Sequence, residues 1–367
     1  MGWCCSQGLT MSRRSSSYAV IVTLTVITVL SVIVTNVPRS LSVSPNPGNA
    51  TLIAATPTQP WQDAKLLRNI KGHADAVGAI AISQDGQFLA TGSDDQTIKF
   101  WNLNTGQLLR TLSGHSDQVT ALAISPDGEK LVSGGGIEDG SIKLWNLKTG
   151  ELIKTFQKKE GMIPSLAISP DGQILASGRR GEGLGFVSEI ALWNLKTGEQ
   201  LLQFEIENLT LSLAFSPNGE LLASGSEDGT IHLWNWQSGE ILHILQHPQS
   251  LRALAFNQDG KVLVSESFAE TVNVWNPETG ELVSTPVENP KPVFVNALAL
   301  HPSGNILASA LGPYGRLGLW NLESGELMTM LEGFSGSIFS LGFSHDGQIL
   351  VSGSNDGAIA IWGIGDQ

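Results

Sequence analysis

Tryptophan recurs through this chain at positions 101, 145, 193, 234, 275, 320 and 362, at intervals of 41 to 48 residues. No other feature constrains the fold as tightly, because self-similarity at such a period marks stacked copies of one supersecondary unit. Six of the seven are followed by Asn and then a Thr-Gly or Ser-Gly turn: WNLNTG, WNLKTG, WNLKTG, WNWQSG, WNPETG and WNLESG. The seventh reads WGIG. Ahead of each tryptophan lies a second turn: SQDG (83–86), SPDG (125–128), SPDG (169–172), SPNG (216–219), NQDG (257–260), HPSG (301–304) and SHDG (344–347). Pro presets φ in such a turn, and Gly accepts the left-handed conformation that closes it.

Short aliphatic alternations flank these turns, as hairpin strands require. Each repeat therefore reads as strand a, the SPDG turn, strand b, a loop, strand c ending in Trp-Asn, the Thr-Gly turn and strand d. Four short antiparallel strands, repeated seven times, predict an all-β, seven-bladed propeller over residues 64–367. The ends check the count. Only five residues follow Trp362, too few for a strand d. Lys65-Leu66-Leu67-Arg68-Asn69-Ile70, ahead of Gly72-His73, matches Gln107–Leu112 ahead of Gly114-His115. The N-terminal strand is expected to supply the missing outer strand of blade seven and close the ring, which removes exposed sheet edges.

From about residue 64 onward the sequence resembles the WD-repeat β-propeller family, in a Trp-Asn variant of its Trp-Asp motif. Repeats one and two carry the family's Gly-His, its strand-b hydroxyl, its turn Asp and its Trp. The resemblance implies a structural relay of His73, Thr91, Asp95 and Trp101, and a second of His115, Ser133, Asp139 and Trp145. A His–Asp–Ser set invites a catalytic reading, but recurrence at the repeat spacing is how a packing motif behaves. Repeats four and seven keep Asp228 and Asp356 without the His, while Val187, Ala269 and Tyr314 take the Asp position in repeats three, five and six. His232, His243, His247, His301 and His345 lack metal-ligand spacing and read as surface or turn residues.

Residues 18–37, YAVIVTLTVITVLSVIVTNV, carry no charge over twenty positions. That is long enough to cross about 30 Å of hydrocarbon as a helix. Arg13-Arg14 precede it, so the positive-inside rule holds the 1–17 tail in the cytoplasm. The expectation is a single-pass signal anchor with the propeller extracytoplasmic, or a secreted propeller if the segment is cleaved. Residues 38–63, rich in Pro, Thr and Ser, read as a linker. Together these features suggest a membrane-anchored, bacterial-type member of the family. The only cysteines are Cys4 and Cys5, so the propeller can hold neither a disulfide nor a cysteine zinc site. The net charge is −13, which repels phosphate backbones and argues against nucleic acid.

Comparing the repeats with one another locates the candidate binding residues. Five residues before each turn stand Gly78, Thr120, Pro164, Leu211, Arg252, Asn296 and Phe339, a position expected at the mouth of the central channel. None is acidic or His, so no general base, carboxylate pair or metal set converges there. No catalysis, cofactor or metal is expected. The residue directly before each turn is large (Ile82, Ile124, Ile168, Phe215, Phe256, Leu300, Phe343) and reads as packing between blades. The b–c loops vary most in length and share a face with the Gly-His turns. Phe186, Phe268, Tyr314, Arg316 and Phe334 lie in or near them, and exposed aromatics anchor interfaces. Lys158-Lys159 and Arg179-Arg180 gather positive charge in repeat three, as a dock for an acidic segment. The chain therefore reads as a membrane-anchored scaffold that binds partner proteins on that face, its propeller monomeric by itself. The alternative is a small-molecule or enzymatic propeller, which would need titratable groups around the channel.

Overall fold

A computed structural model of the protein describes residues 59–158, 161–181, 188–267, 271–288, 297–312, 315–333 and 336–364. Among them, twenty-eight strands form seven four-stranded antiparallel sheets. Six sheets take their strands consecutively from one stretch of chain. The seventh does not. Lys65–Lys71 pairs antiparallel with Ala358–Gly363, Lys65 opposite Gly363 and Lys71 opposite Ala358, so the first strand completes the last sheet and the ring closes as expected. Residues 18–37 lie outside the described residues, as does most of 38–63. Among the described residues, no helix is long and apolar enough to cross a membrane.

The two recurrent turns explain their own sequences. In the a–b turn of blade one, Ser83 donates to Asp85 at 2.6 Å and accepts the Phe88 amide at 2.9 Å, with Gly86 at φ +68°. In the c–d turn, Asn102 Oδ1 accepts both the amide (2.8 Å) and the hydroxyl (2.9 Å) of Thr105. Asn146, Asn194, Asn235, Asn276 and Asn321 cap the corresponding amides of their own turns. The residue after Trp therefore needs only a carbonyl-type acceptor, which Asn supplies without charge.

Two devices hold the ring. Within every blade the Trp indole N–H donates to the strand-b hydroxyl, at 2.8–3.0 Å. Between blades, a strand-b glycine lets the next strand a nest closely. A Cβ on Gly92 would sit 2.6 Å from Val119, one on Gly134 2.6 Å from Ile163, and one on Gly353 2.6 Å from Val77. Blade five breaks this pattern by placing Glu266 there, only 1% exposed. The adjoining strand a of blade six is three residues long, Leu298–Leu300, against six or seven in the other blades.

Two expectations change. The stretch read as linker ends in a short 3-10 helix, Gln59–Asp63, that packs on the propeller. Trp61 is 2% exposed, donates to the Gly347 carbonyl at 3.1 Å and meets Phe343 edge-on at 5.1 Å. The large residues before the turns do pack against the blade cores, but several also line the channel. Ile82, Ile124, Phe256, Leu300 and Phe343 are half-buried and face its lower mouth, on the a–b turn side. Alternation shows which residues share a face of strand a, not that this face also borders the channel.

Candidate functional site

The Gly-His turns and b–c loops form the upper face. There the relay of blade one is complete. His73 Nδ1 lies 2.9 Å from Asp95 Oδ2, and Nε2 lies 2.8 Å from Thr91 Oγ1, which accepts the Trp101 indole. Blade two repeats it: His115 Nε2 is 2.6 Å from Ser133 Oγ, with Nδ1 against Asp139. Burial lowers the His73 pKa, although Asp95 opposes the shift. Burial alone would push the Asp95 carboxyl up. The Thr97 hydroxyl, the amides of Ala74 and Thr97, and His73 outweigh it and hold the pKa at about 2. Thr91 and Ser133 are fully buried, so neither hydroxyl can meet a substrate. The relays are staples.

The upper channel mouth assembles as expected from strand a. Gly78, Thr120, Pro164, Arg252 and Phe339 line a cavity of about 350 Å³, with Ser212 in place of Leu211 from blade four. Asn296 lies outside the described residues. The hydroxyls around this mouth tie blades together. Thr120 donates to the Ile163 carbonyl at 2.7 Å and Ser340 to the Val77 carbonyl at 2.9 Å. Ser165 accepts the Leu213 amide at 2.9 Å, and Ser212 the Leu254 amide at 3.0 Å. Among the described residues lining the cavity, Arg252 is the one charged side chain. Its burial lowers the guanidinium pKa, and the Glu266 carboxylate nearby opposes that. Phe339 is 41% exposed. Among the described residues, no three His, Cys, Asp or Glu side chains converge as a metal set.

Blade three does not present the full basic patch. Arg179 is half-buried, its Nε 2.6 Å from Glu189 Oε1, and the other Glu189 oxygen accepts Gln203 at 2.9 Å. Arg179 and Glu189 face each other in adjacent strands, so the register itself neutralises the charge. Arg180, also half-buried, lies opposite Ser188. Lys158 ends strand d of blade two, and Lys159 lies outside the described residues. Arg316 opens strand c of blade six, half-buried, and its Nε is buried without a hydrogen-bond partner among the described residues. Phe186, Phe268, Tyr314 and Phe334 lie outside the described residues.

His247 is not a surface residue. It is fully buried, and neither ring nitrogen makes a hydrogen bond among the described residues. Burial lowers its pKa to about 4, which backbone groups of Thr271 and Gln249 offset only in part. The signal was present in the sequence: His247 stands ten residues before its turn, as His73 and His115 do. It is the relay histidine of blade five, with Ala269 where the aspartate belongs.

Comparison with known proteins agrees with this architecture. The family described as IFT122 first beta-propeller matches residues 94–287, and that described as WD domain, G-beta repeat matches residues 64–102 and 325–363. Among similar proteins, a Periodic tryptophan protein 2 homolog of Neurospora crassa is 35% identical over 20% of this chain and 8% of its own length. A Ribosome biogenesis protein BOP1 homolog of Aedes aegypti is 36% identical over 19% and 8% respectively. Small ribosomal subunit protein RACK1 of Dictyostelium discoideum is 41% identical over 14% and 16%. The chain thus spans only a small part of each of these relatives. The expected placement, a single-pass membrane protein with an extracytoplasmic propeller, does not stand. Two of these relatives are named for the ribosome or its biogenesis, and among the described residues, which do not include 18–37, no helix is long and apolar enough to cross a membrane. Nor do these three relatives, from a fungus, a mosquito and an amoeba, support a membrane-anchored, bacterial-type form. The family match over more than half of the sequence and the closed seven-sheet ring lead to one conclusion: this chain belongs to the WD-repeat β-propellers, of the type described as IFT122 first beta-propeller.

Proposed function

We propose that this propeller is a scaffold that holds partner proteins on its upper face and performs no catalysis. The observation that carries this reading is the upper channel mouth. One repeat position there carries Gly78, Thr120, Pro164, Arg252 and Phe339, although the fold would accept similar residues in every blade. A half-exposed aromatic and a single cation on one mouth are the residue types that anchor protein interfaces. The nucleophile-bearing relays beside it are buried and fully engaged, which leaves recognition as the work available to that face. Secondary candidates for partner contact, taken from the sequence alone, are Lys158, Lys159, Arg180 and Arg316 and the aromatics Phe186, Phe268, Tyr314 and Phe334.

Affinity purification of the full-length protein after crosslinking tests the proposal. Proteins captured by the parent are expected to be lost from an Arg252→Glu/Phe339→Ala variant that retains the parent's melting temperature. A Lys158→Glu/Lys159→Glu variant is expected to weaken the same capture less. Capture by the parent that survives the Arg252/Phe339 change sinks the upper-mouth assignment. If the parent captures no protein, the scaffold reading fails as a whole.

A further inference from the structure

The chain enters its described fold beside the lower mouth of the channel. Trp61 donates its indole N–H to the carbonyl of Gly347 at 3.1 Å and meets Phe343 edge-on at 5.1 Å. His301 Nε2 lies 3.1 Å from the same carbonyl, and its ring meets Phe343 at 5.2 Å. Gly347 closes the turn 344–347, and Phe343, Ser344 and His345 line the mouth. The N-terminal stretch thus already covers Phe343 before the first blade begins.

What it leaves open is a cavity of about 590 Å³, bordered in blades one, two, five and six by Ile82, Ile124, Phe256 and Leu300. Among the described residues that line it there is no Asp, Glu, Lys or Arg, in a chain whose net charge is −13. Such a lining accepts uncharged, apolar side chains and offers a charged one no partner.

The sequence just before the 3-10 helix has that character. Residues 51–58, TLIAATPT, lie outside the described residues and carry no charge. Leu52 and Ile53 are their two large aliphatic side chains, and Leu52 stands seven residues before Gln59. At about 3.3 Å per residue an extended chain carries Leu52 about 23 Å from the anchored helix. That helix packs beside Leu327–Glu332, the outer strand of blade six. The channel lies one blade width further in, about 14 Å for three spacings of about 4.8 Å between strands. The pair therefore reaches the mouth with chain to spare.

We propose that residues 51–58 plug the lower mouth, with Leu52 and Ile53 seated against Ile82, Ile124, Phe256 and Leu300. The tether makes a weak contact effective. A contact with a dissociation constant of about 0.3 mM, held at a local concentration of about 1 mM, closes the mouth about three-quarters of the time. A partner gains that face only by displacing the segment. The proposal is independent of the upper-face scaffold reading.

Thiol labelling of the full-length protein tests it, in a Cys4→Ser/Cys5→Ser background that leaves one introduced thiol. Gln84→Cys and Gln258→Cys place that thiol at exposed positions that line the mouth, in blades one and five. Glu323→Cys places it on an exposed turn of blade six, outside the cavity lining. Adding Leu52→Ser/Ile53→Ser is expected to quicken labelling by N-ethylmaleimide about fourfold at both mouth positions and to leave Glu323→Cys unchanged. Arg252→Glu/Phe339→Ala at the upper mouth should change none of these rates. As a second measurement, mild oxidation should join Leu52→Cys to Gln258→Cys faster than Leu52→Cys to Glu323→Cys. Mouth labelling that ignores the Leu52/Ile53 change overturns the proposal. So does an equal quickening at Glu323→Cys, or a disulfide to Glu323→Cys that forms as fast as the one to Gln258→Cys.

Discussion

Blades one and five are the same repeat resolved in opposite ways. In blade one, His73 is held between Asp95 and Thr91, and Gly92 leaves room for Val119 of the next blade. In blade five, His247 occupies the same place with no side-chain hydrogen-bond partner among the described residues, Ala269 stands for the aspartate, and Glu266 stands for the glycine. Both blades nevertheless keep the indole–hydroxyl bond, Trp101 on Thr91 at 2.9 Å and Trp275 on Ser265 at 2.8 Å. The indole bond and the two turns are therefore sufficient to build a blade. The relay is an addition that satisfies a buried ring, and in blade five, where its aspartate is missing, only the backbone of Thr271 and Gln249 offsets the burial of His247.

The comparison breaks most sharply if blade five's residue is imported into blade two. Gly134→Glu puts a Cβ 2.6 Å from Ile163 and buries a carboxylate with no place prepared for it. The expected loss is about 4 kcal/mol or more, or failure to fold, measured by urea denaturation. A loss below about 1 kcal/mol would show that the glycine is not what lets these blades nest.

The next effect is a dependence on pH. His247 has a folded-state pKa of about 4, below the roughly 6.5 of an unfolded histidine. Its neutral form is the native one, so the stability it permits is complete above pH 6.5. As pH falls toward 4 the unfolded chain takes up the proton first, and about 3 kcal/mol is lost. Asp95, held at about 2, loses its contribution only below about pH 4, so the two windows separate. Melting temperatures from pH 7 to pH 4 should fall for the parent and fall much less for His247→Leu. Equal slopes would remove His247 as the cause.

Two smaller changes sharpen the contrast from either side. Asp95→Asn removes the charged partner of His73 and is expected to cost about 1–2 kcal/mol in chemical denaturation. Ala269→Asp gives blade five the missing partner and is expected to gain about 1 kcal/mol. It should also raise the His247 pKa, which histidine-selective NMR titration reads directly. An unchanged pKa would mean that His247 does not play the role His73 plays.

Most of the ring was legible because its information is periodic. Trp101 to Trp362 set the blade count, and Lys65–Lys71 was recognisable as a strand d because it copies Gln107–Leu112. What escaped was either aperiodic or lost part of its motif. Trp61 belongs to no repeat, so nothing in the spacing marked its burial under blades six and seven. His247 kept its register but lost the preceding Gly and the Asp, and without them its position alone was passed over. Arg179 looked like free charge because its neutraliser, Glu189, comes from the facing strand, and that pairing depends on register. At the channel five of the seven expected positions line the upper mouth, while blade four contributes Ser212 instead of Leu211 and Asn296 lies outside the described residues. That Ile82 and Phe343 face open space as well as core depends on how the strands are arranged around the axis, which alternation does not encode.

Closure by the first strand also sets a timetable for synthesis. Lys65–Lys71 emerges before any blade exists and has no partner until Ala358–Gly363 has been made. The other six sheets can assemble in order as the chain lengthens, since each draws on one continuous stretch. Until the final strand arrives, the nascent protein is an open array with an unpaired edge at each end, the form most able to pair with a neighbouring chain. A chain halted a few residues short of Ala358 would hold six finished sheets and still lack the property that makes the finished molecule safe in a crowd.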